Sequence, residues 1–224
     1  MSNVENYLQI KKELDEKQVT LVAVSKTKPA EEILKLYEAG QKIFGENKVQ
    51  ELLSKVENLP VDIQWHLIGH LQTNKVKFIA PFVSLIHSVD SLKLLSEINK
   101  QAEKNKRTID CLLQIFIASE ETKFGLNEEE CFEILQSNEF SSMKNISVCG
   151  LMGMASNIEN ENQIREEFRS LKKLFEKIKT DETILSDKYK FNILSMGMSS
   201  DYSIAVAEDS NMVRIGSLLF GNRY

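Results

Sequence analysis

The sequence predicts an α/β fold, a single (β/α)8 barrel of the TIM type with an extra N-terminal helix, occupying residues 1–224 as one domain. Three observations predict it. Short apolar runs recur along the chain, each followed by a segment with helical apolar spacing, and such alternation implies right-handed crossovers and a parallel sheet. Eight strand–helix steps fit into roughly 200 residues, the number that closes a barrel. No linker, repeat or low-complexity tract interrupts the series. An open doubly wound sheet is the alternative, because it needs only five or six strands and the segments near residues 43 and 85 are short.

The elements follow in order. Val4, Leu8, Ile10 and Leu14 form one stripe of a leading helix over about 3–16. Leu21-Val22-Ala23-Val24 is an unbroken apolar run closed by Ser25, the signature of a strand buried on both faces. Pro29 suits a first helical turn, and Ile33, Leu34, Leu36, Tyr37 and Ala39 form the inner face of that helix until Gly40. Strands are expected at 42–47, 63–69, 84–89, 109–117, 146–152, 191–196 and 212–216, with helices at 49–57, 74–79, 91–104, 127–136, 162–179 and 200–207. Asn127 is placed as an N-cap with Glu128 to Glu130 behind it, and Ile164, Phe168, Leu171, Leu174, Phe175 and Ile178 make the longest amphipathic face.

Composition narrows the function classes. A net charge of −5 argues against a nucleic-acid surface, which needs a clustered basic face. The sequence has neither an apolar leader nor eighteen consecutive apolar residues, so a cytoplasmic protein with no membrane partner is expected. Cys111, Cys131 and Cys149 are odd in number and widely spaced, and His66, His70 and His87 lack metal-ligand spacing, so no metal is expected.

The chemistry is expected at the carboxyl ends of the strands. Lys26 sits where the first strand ends, on the rim where barrels bind ligands. Taken alone, a lysine there opens a loop and points into water. Two further clusters change that reading. After the seventh strand comes Ser195-Met196-Gly197-Met198-Ser199-Ser200-Asp201, and after the eighth Arg214-Ile215-Gly216-Ser217. In this fold those two loops build phosphate sites from backbone amides, helix starts and hydroxyls. Once the barrel closes, the first and last strands are neighbours, so an amine and an anion pocket share one rim. A compound carrying an aldehyde and a phosphate would bridge them, with the lysine forming an imine. Pyridoxal phosphate and a sugar-phosphate aldehyde of class I aldolase chemistry both qualify, and spacing does not separate them.

These residues also carry a resemblance. The segments Val22 to Pro29, Phe44 to Glu51, Trp65 to Lys75, Gly150 to Ala155, Ser195 to Asp201 and Val213 to Gly216 followed by Phe220-Gly221 resemble the pyridoxal phosphate homeostasis proteins, in order and over nearly the whole chain. The resemblance implies a barrel of the alanine racemase N-terminal type holding pyridoxal 5'-phosphate (PLP) as a Schiff base on Lys26. By the same likeness Ser199, Ser200, Gly216 and Ser217 hold the phosphate, with Met196 among the cofactor contacts. Asn47 and His66 match residues lining the ring, and Arg214 matches an arginine expected near the pyridine nitrogen. One segment departs from the family pattern. Asp209-Ser210-Asn211 stands where Gly-Ser-Thr is usual, which is expected to put a negative charge near the phosphate loop.

An arginine at the ring nitrogen would keep that nitrogen unprotonated and the ring a poor electron sink. The competing role for Arg214 is a salt bridge with Glu208 or Asp209. Racemases of related fold add a second domain that supplies an acid/base, and this sequence ends at Tyr224, soon after the eighth strand. Tyr202 and Lys123 are the substitutes the sequence offers. The resemblance therefore implies a non-catalytic PLP carrier or regulator in vitamin B6 homeostasis, a monomer or weak dimer serving PLP-dependent apoenzymes. The competing readings are a slow PLP-dependent amino-acid racemase, a class I aldolase and a non-catalytic interaction module.

Overall fold

The computed structural model describes residues 3–118, 124–181, 184 and 190–221. Helix α1 (Asn3–Glu16) leads into β1 (Thr20–Val24), α2 (Ala30–Glu38), β2 (Ile43–Glu46), α3 (Val49–Val56) and β3 (Gln64–Leu67). A 3-10 turn at Thr73–Lys75 runs into α4 (Val76–Ile79), followed by β4 (Leu85–Val89), α5 (Leu92–Lys104) and β5 (Ile109–Ile115). The second half holds α6 (Glu128–Gln136), α7 (Asn138–Ser142), β6 (Ile146–Gly153), α8 (Glu161–Lys179), β7 (Ile193–Ser195), α9 (Tyr202–Ala207), β8 (Met212–Ile215) and α10 (Ser217–Phe220).

The strands form one closed parallel barrel in sequence order. Closure is made by β1 against β8, in register from Thr20 opposite Met212 to Ala23 opposite Ile215, and it removes the open-sheet alternative. Strand alternation then sorts the side chains. Val22, Leu85, Leu112, Cys149, Met152 and Met212 pack together inside the lumen. Ala23, Phe44, Trp65, Leu67, Ile86 and Leu113 belong to the larger core between strands and helices. The six apolar residues predicted for the face of α8 are all buried in that core, each contributing about 1.5–3 kcal/mol of transfer free energy. The N-caps agree with chain chemistry. Ser91 accepts from Leu94 N, and Asn127 forms a capping box with Glu130. All three cysteines are buried and free.

Three differences from the sequence reading have local causes. The expected helix at 74–79 begins one residue earlier as a 3-10 turn, and α7 and α10, each under six residues, are too short to leave a periodic signal. The expected strand over 191–196 shrinks to three residues, because side chains complete part of the β7–β8 seam. Asn211 Oδ1 accepts from Leu194 N, and Ser210 Oγ meets Leu194 O, Met196 N and Met196 O at 2.9–3.2 Å. Asp209, the departure from the family pattern, stands at the amino end of β8, and Gly216 follows its carboxyl end. Four residues of strand, roughly 13 Å, separate them. The expectation of a negative charge near the phosphate loop is therefore corrected. Asp209 pairs with Lys172 of α8 and adopts a φ of +65°, the left-handed conformation that glycine meets without cost.

Candidate functional site

A cavity of about 500 Å3 opens at the carboxyl-terminal mouth of the barrel. Each wall descends from a strand end. Lys26 and Lys28 follow β1, Asn47 follows β2, Ile68, Gly69 and His70 follow β3, and Gln114 and Met154 come from β5 and the end of β6. Ser199 and Ser200 follow β7, while Arg214, Gly216 and Ser217 come from β8 and the start of α10. Lys26 is half-buried, two residues beyond β1.

The last two loops are tied together. Gly216 N donates to Ser199 Oγ at 3.1 Å, and Met198 N donates to Asp201 Oδ1 at 2.6 Å. Gly197 has a φ of +91°, and a Cβ there would lie 2.7 Å from the Ala205 methyl and 2.9 Å from Tyr202 Cα, so only glycine lets α9 approach this closely. The result is a rim of hydroxyls and backbone amides at short helix starts, a donor set suited to a phosphate.

The floor carries a buried cation. Arg214 is 4% exposed; its Nη1 donates to Ser195 O at 3.0 Å and Ser195 Oγ at 2.7 Å, and its Nη2 donates to Gly153 O at 3.0 Å. Burial lowers its pKa to about 10, opposed by the Asp201 charge, so the guanidinium stays protonated at neutral pH. The salt-bridge alternative is absent: Glu208 is held by Arg165 and Arg169 of α8 at 2.8 and 2.9 Å.

Below Arg214 a polar chain crosses the lumen. Ser195 Oγ lies 3.3 Å from His87 Nδ1, and His87 Nε2 lies 3.0 Å from His66 Nδ1. With Ser195 Oγ accepting from Arg214, its own proton is left for His87 Nδ1, and His87 then donates to His66; these tautomers follow from hydrogen-bond satisfaction. Burial pulls His66 down to about 3 and holds His87 well below the usual imidazole range, reinforced there by His66 and the Arg214 charge. Both imidazoles are neutral.

Of the residues expected from sequence to contact a cofactor, the cavity brings together Lys26, Asn47, Ser199, Ser200, Arg214, Gly216 and Ser217. Met196 and His66 are not on its surface. Alternation after the inward-facing Ser195 turns Met196 outward into the core against the helices. His66 lies one inward position below Ile68, which takes the wall in its place, so its ring reaches the site through His87, Ser195 and Arg214. Tyr202 is also off the cavity, donating to Glu13 Oε2 of α1 at 3.3 Å; Lys123 lies outside the described residues. Sequence reasoning missed Gln114, His70, Phe124 and Met154. Gln114 had a signal, a polar residue at an inward position of the most β-prone segment; its Nε2 donates to Phe124 O at 2.7 Å. His70 and Phe124 stack with centroids 4.5 Å apart, a contact between distant segments that no local pattern encodes.

Comparison with known proteins agrees with this geometry. Residues 4–224 match the family described as alanine racemase, N-terminal domain. The pyridoxal phosphate homeostasis protein of Aquifex aeolicus is 41% identical over 204 residues, 91% of this chain and 86% of the relative. That of Schizosaccharomyces pombe is 37% identical over 219 residues, 96% and 89%. PipY of Synechococcus elongatus, solved without PLP, superposes with a TM-score of 0.89 at 32% identity, covering 98% of this chain and 100% of that one. The same protein with PLP bound gives a TM-score of 0.86 at 32% identity and the same coverage. Alanine racemase of Bartonella henselae, 16% identical with a TM-score of 0.70, shares the fold, and this chain covers 58% of its length. The family match over residues 4–224 and these relatives show that the chain belongs to the pyridoxal phosphate homeostasis proteins, within the alanine racemase N-terminal domain family.

Proposed function

We propose that this chain binds pyridoxal 5'-phosphate at the barrel mouth, covalently through the Lys26 amine, and serves intracellular PLP homeostasis as a carrier rather than as an enzyme. The observation that carries the reading is that Lys26 and the Ser199, Ser200, Gly216 and Ser217 rim line one cavity, brought together by the β1–β8 closure. The donor set fits the group: an amine for the aldehyde, hydroxyls and amides for the phosphate, and a buried cation with apolar walls for the ring. Asn47 is the further polar contact.

Bound PLP supplies an electron sink for amino-acid chemistry. This chain's residues hold it and restrain that sink. Arg214 donates hydrogen bonds and, with a pKa of about 10, keeps its protons rather than transferring one to a ring nitrogen, and it has no lone pair to accept one. The polar chain behind it fixes its fork in one orientation. Among the described residues lining the cavity the titratable side chains are Lys26, Lys28, His70 and Arg214. Lys28 Nζ donates to Phe220 O at 2.8 Å, and His70 Nδ1 lies 3.3 Å from Asp90 Oδ2. No tyrosine stands among them as a second acid/base, which favours holding and releasing the cofactor over fast turnover. In this reading residues 1–224 are one domain, cytoplasmic, monomeric or weakly dimeric, and PLP-dependent apoenzymes receive the cofactor.

The test is borohydride reduction of the PLP-treated protein followed by peptide mapping. A cofactor-sized mass on Lys26, lost in Lys26→Ala, is expected. A mass elsewhere, no mass, or trapping by a sugar phosphate in place of PLP would overturn the reading. Chiral analysis of amino acids incubated with the protein decides the enzymatic part, since turnover abolished by Lys26→Ala would establish a slow racemase.

A further inference from the structure

Beneath the Lys26 turn lies a charged cluster that cofactor contact does not explain. Glu46, the last residue of β2, is fully buried, and Lys55 of α3 is 7% exposed. Lys55 Nζ donates to Glu46 Oε1 at 2.6 Å, to Glu51 Oε1 at 2.7 Å and to Ser25 O at 2.8 Å. Ser25 Oγ donates to the same Glu46 oxygen at 2.6 Å, and Thr27 N donates to Glu51 Oε1. Glu46 Oε2 finds no hydrogen-bond partner among the described residues. Burial raises the Glu46 carboxyl pKa, and the Lys55 and Ser25 hydrogen bonds oppose that rise.

Burying the Glu46–Lys55 ion pair, with Glu51 partly exposed beside it, is a poor way to add stability, because desolvation offsets most of the attraction between the charges. What the cluster does achieve is local. Its three contacts outside itself fall on the residues flanking Lys26: the Ser25 hydroxyl, the Ser25 carbonyl and the Thr27 amide. Thr27 has a φ of +66°, a conformation β-branched residues avoid, so the turn needs support to persist. The Phe44 to Glu51 segment thus carries a second role beside Asn47.

We infer that Glu46, Lys55 and Glu51 are positioning residues that clamp the peptides on either side of Lys26 and set the direction of its amine. The inference rests on Lys26 being the attachment point. In the step concerned, the Lys26 nitrogen bonds to the aldehyde carbon of PLP and one water leaves. Positioning changes the rate of that step and leaves recognition of the phosphate and ring untouched.

The experiment compares two probes, PLP and pyridoxine 5'-phosphate, whose alcohol replaces the aldehyde and cannot bond to the lysine. Glu51→Ala removes the acceptor under Thr27 N and is expected to slow covalent attachment of PLP by about 10- to 100-fold, the scale of a misdirected reacting group. Affinity for pyridoxine 5'-phosphate should stay within about twofold, since phosphate and ring contacts are unchanged. Glu51→Gln keeps an acceptor and should restore most of the rate. The double variant Glu46→Gln/Lys55→Met removes two opposite buried charges together, leaves the partly exposed Glu51 carboxylate without its lysine, and should slow attachment as well. Unchanged rates in both variants, or an equal loss for the two probes, would overturn the inference. Failure of the wild-type protein to form a Lys26 adduct would instead overturn the proposed function, and it is seen before any variant is compared.

Discussion

Acid should destabilise this fold through the lumen histidines, and the size of the effect follows from their burial. His66 is held neutral with a pKa of about 3, against about 6.5 for an exposed imidazole in the unfolded chain. Above pH 6.5 both states are unprotonated and the group contributes no pH dependence. As pH falls below 6.5 the unfolded chain takes up a proton that the folded barrel refuses. Stability then drops by about 1.4 kcal/mol per pH unit, levelling off near pH 3. At pH 4.5 the loss from His66 alone is about 3 kcal/mol, set against a typical total of about 5–15 kcal/mol. His87 shifts in the same direction and adds to it. Urea midpoints between pH 7.5 and 4.5 measure the slope in the wild type and in His66→Gln, which keeps a hydrogen-bonding group beside His87. The variant should lose about one proton's worth of slope, close to 1.4 kcal/mol per pH unit. Parallel curves for the two proteins would refute the claim that His66 is a buried neutral imidazole.

Gly197→Ala should destabilise by about 1–3 kcal/mol and weaken PLP binding in titration, because the new methyl meets Ala205 and Tyr202 at a positive φ and pushes α9 from the rim. An effect under about 0.5 kcal/mol would contradict it. Asp209→Asn keeps a residue tolerant of the left-handed conformation and removes a charge exposed beside Lys172; stability should change by less than about 1 kcal/mol and phosphate affinity by less than about twofold. A large gain in affinity would return that charge to the phosphate site. Phe168→Ala should cost about 3–5 kcal/mol in chemical denaturation without moving the cavity residues, since this fully buried ring packs between α8 and the barrel wall.

The strand–helix alternation was legible because each element carries its own period. The unbroken apolar run of β1 and the one-sided stripe of α8 are local signals, and eight strand–helix steps point to a closed ring without deciding its closure. Lys26 and the two rim loops after β7 and β8 were legible for the same reason, lying at strand ends where barrel sites are built. Asn47, His66 and Met196 came from resemblance, as did the ring-nitrogen role expected of Arg214, and likeness marked those positions without saying how far each side chain reaches.

What the sequence by itself determined is the order of strands and helices, the rim that carries chemistry, and the amine and hydroxyls that stand on it, because periodicity and strand ends are properties of neighbours along the chain. Only the tertiary structure decided that β1 pairs β8, that His66 lies in the lumen linked through His87 to Ser195, that Asp209 faces the opposite end of the barrel, and that Glu46, Lys55 and Glu51 converge beneath Lys26. Those facts depend on distances between residues from 9 to nearly 200 positions apart. Chain closure sets such distances, and no local pattern contains them.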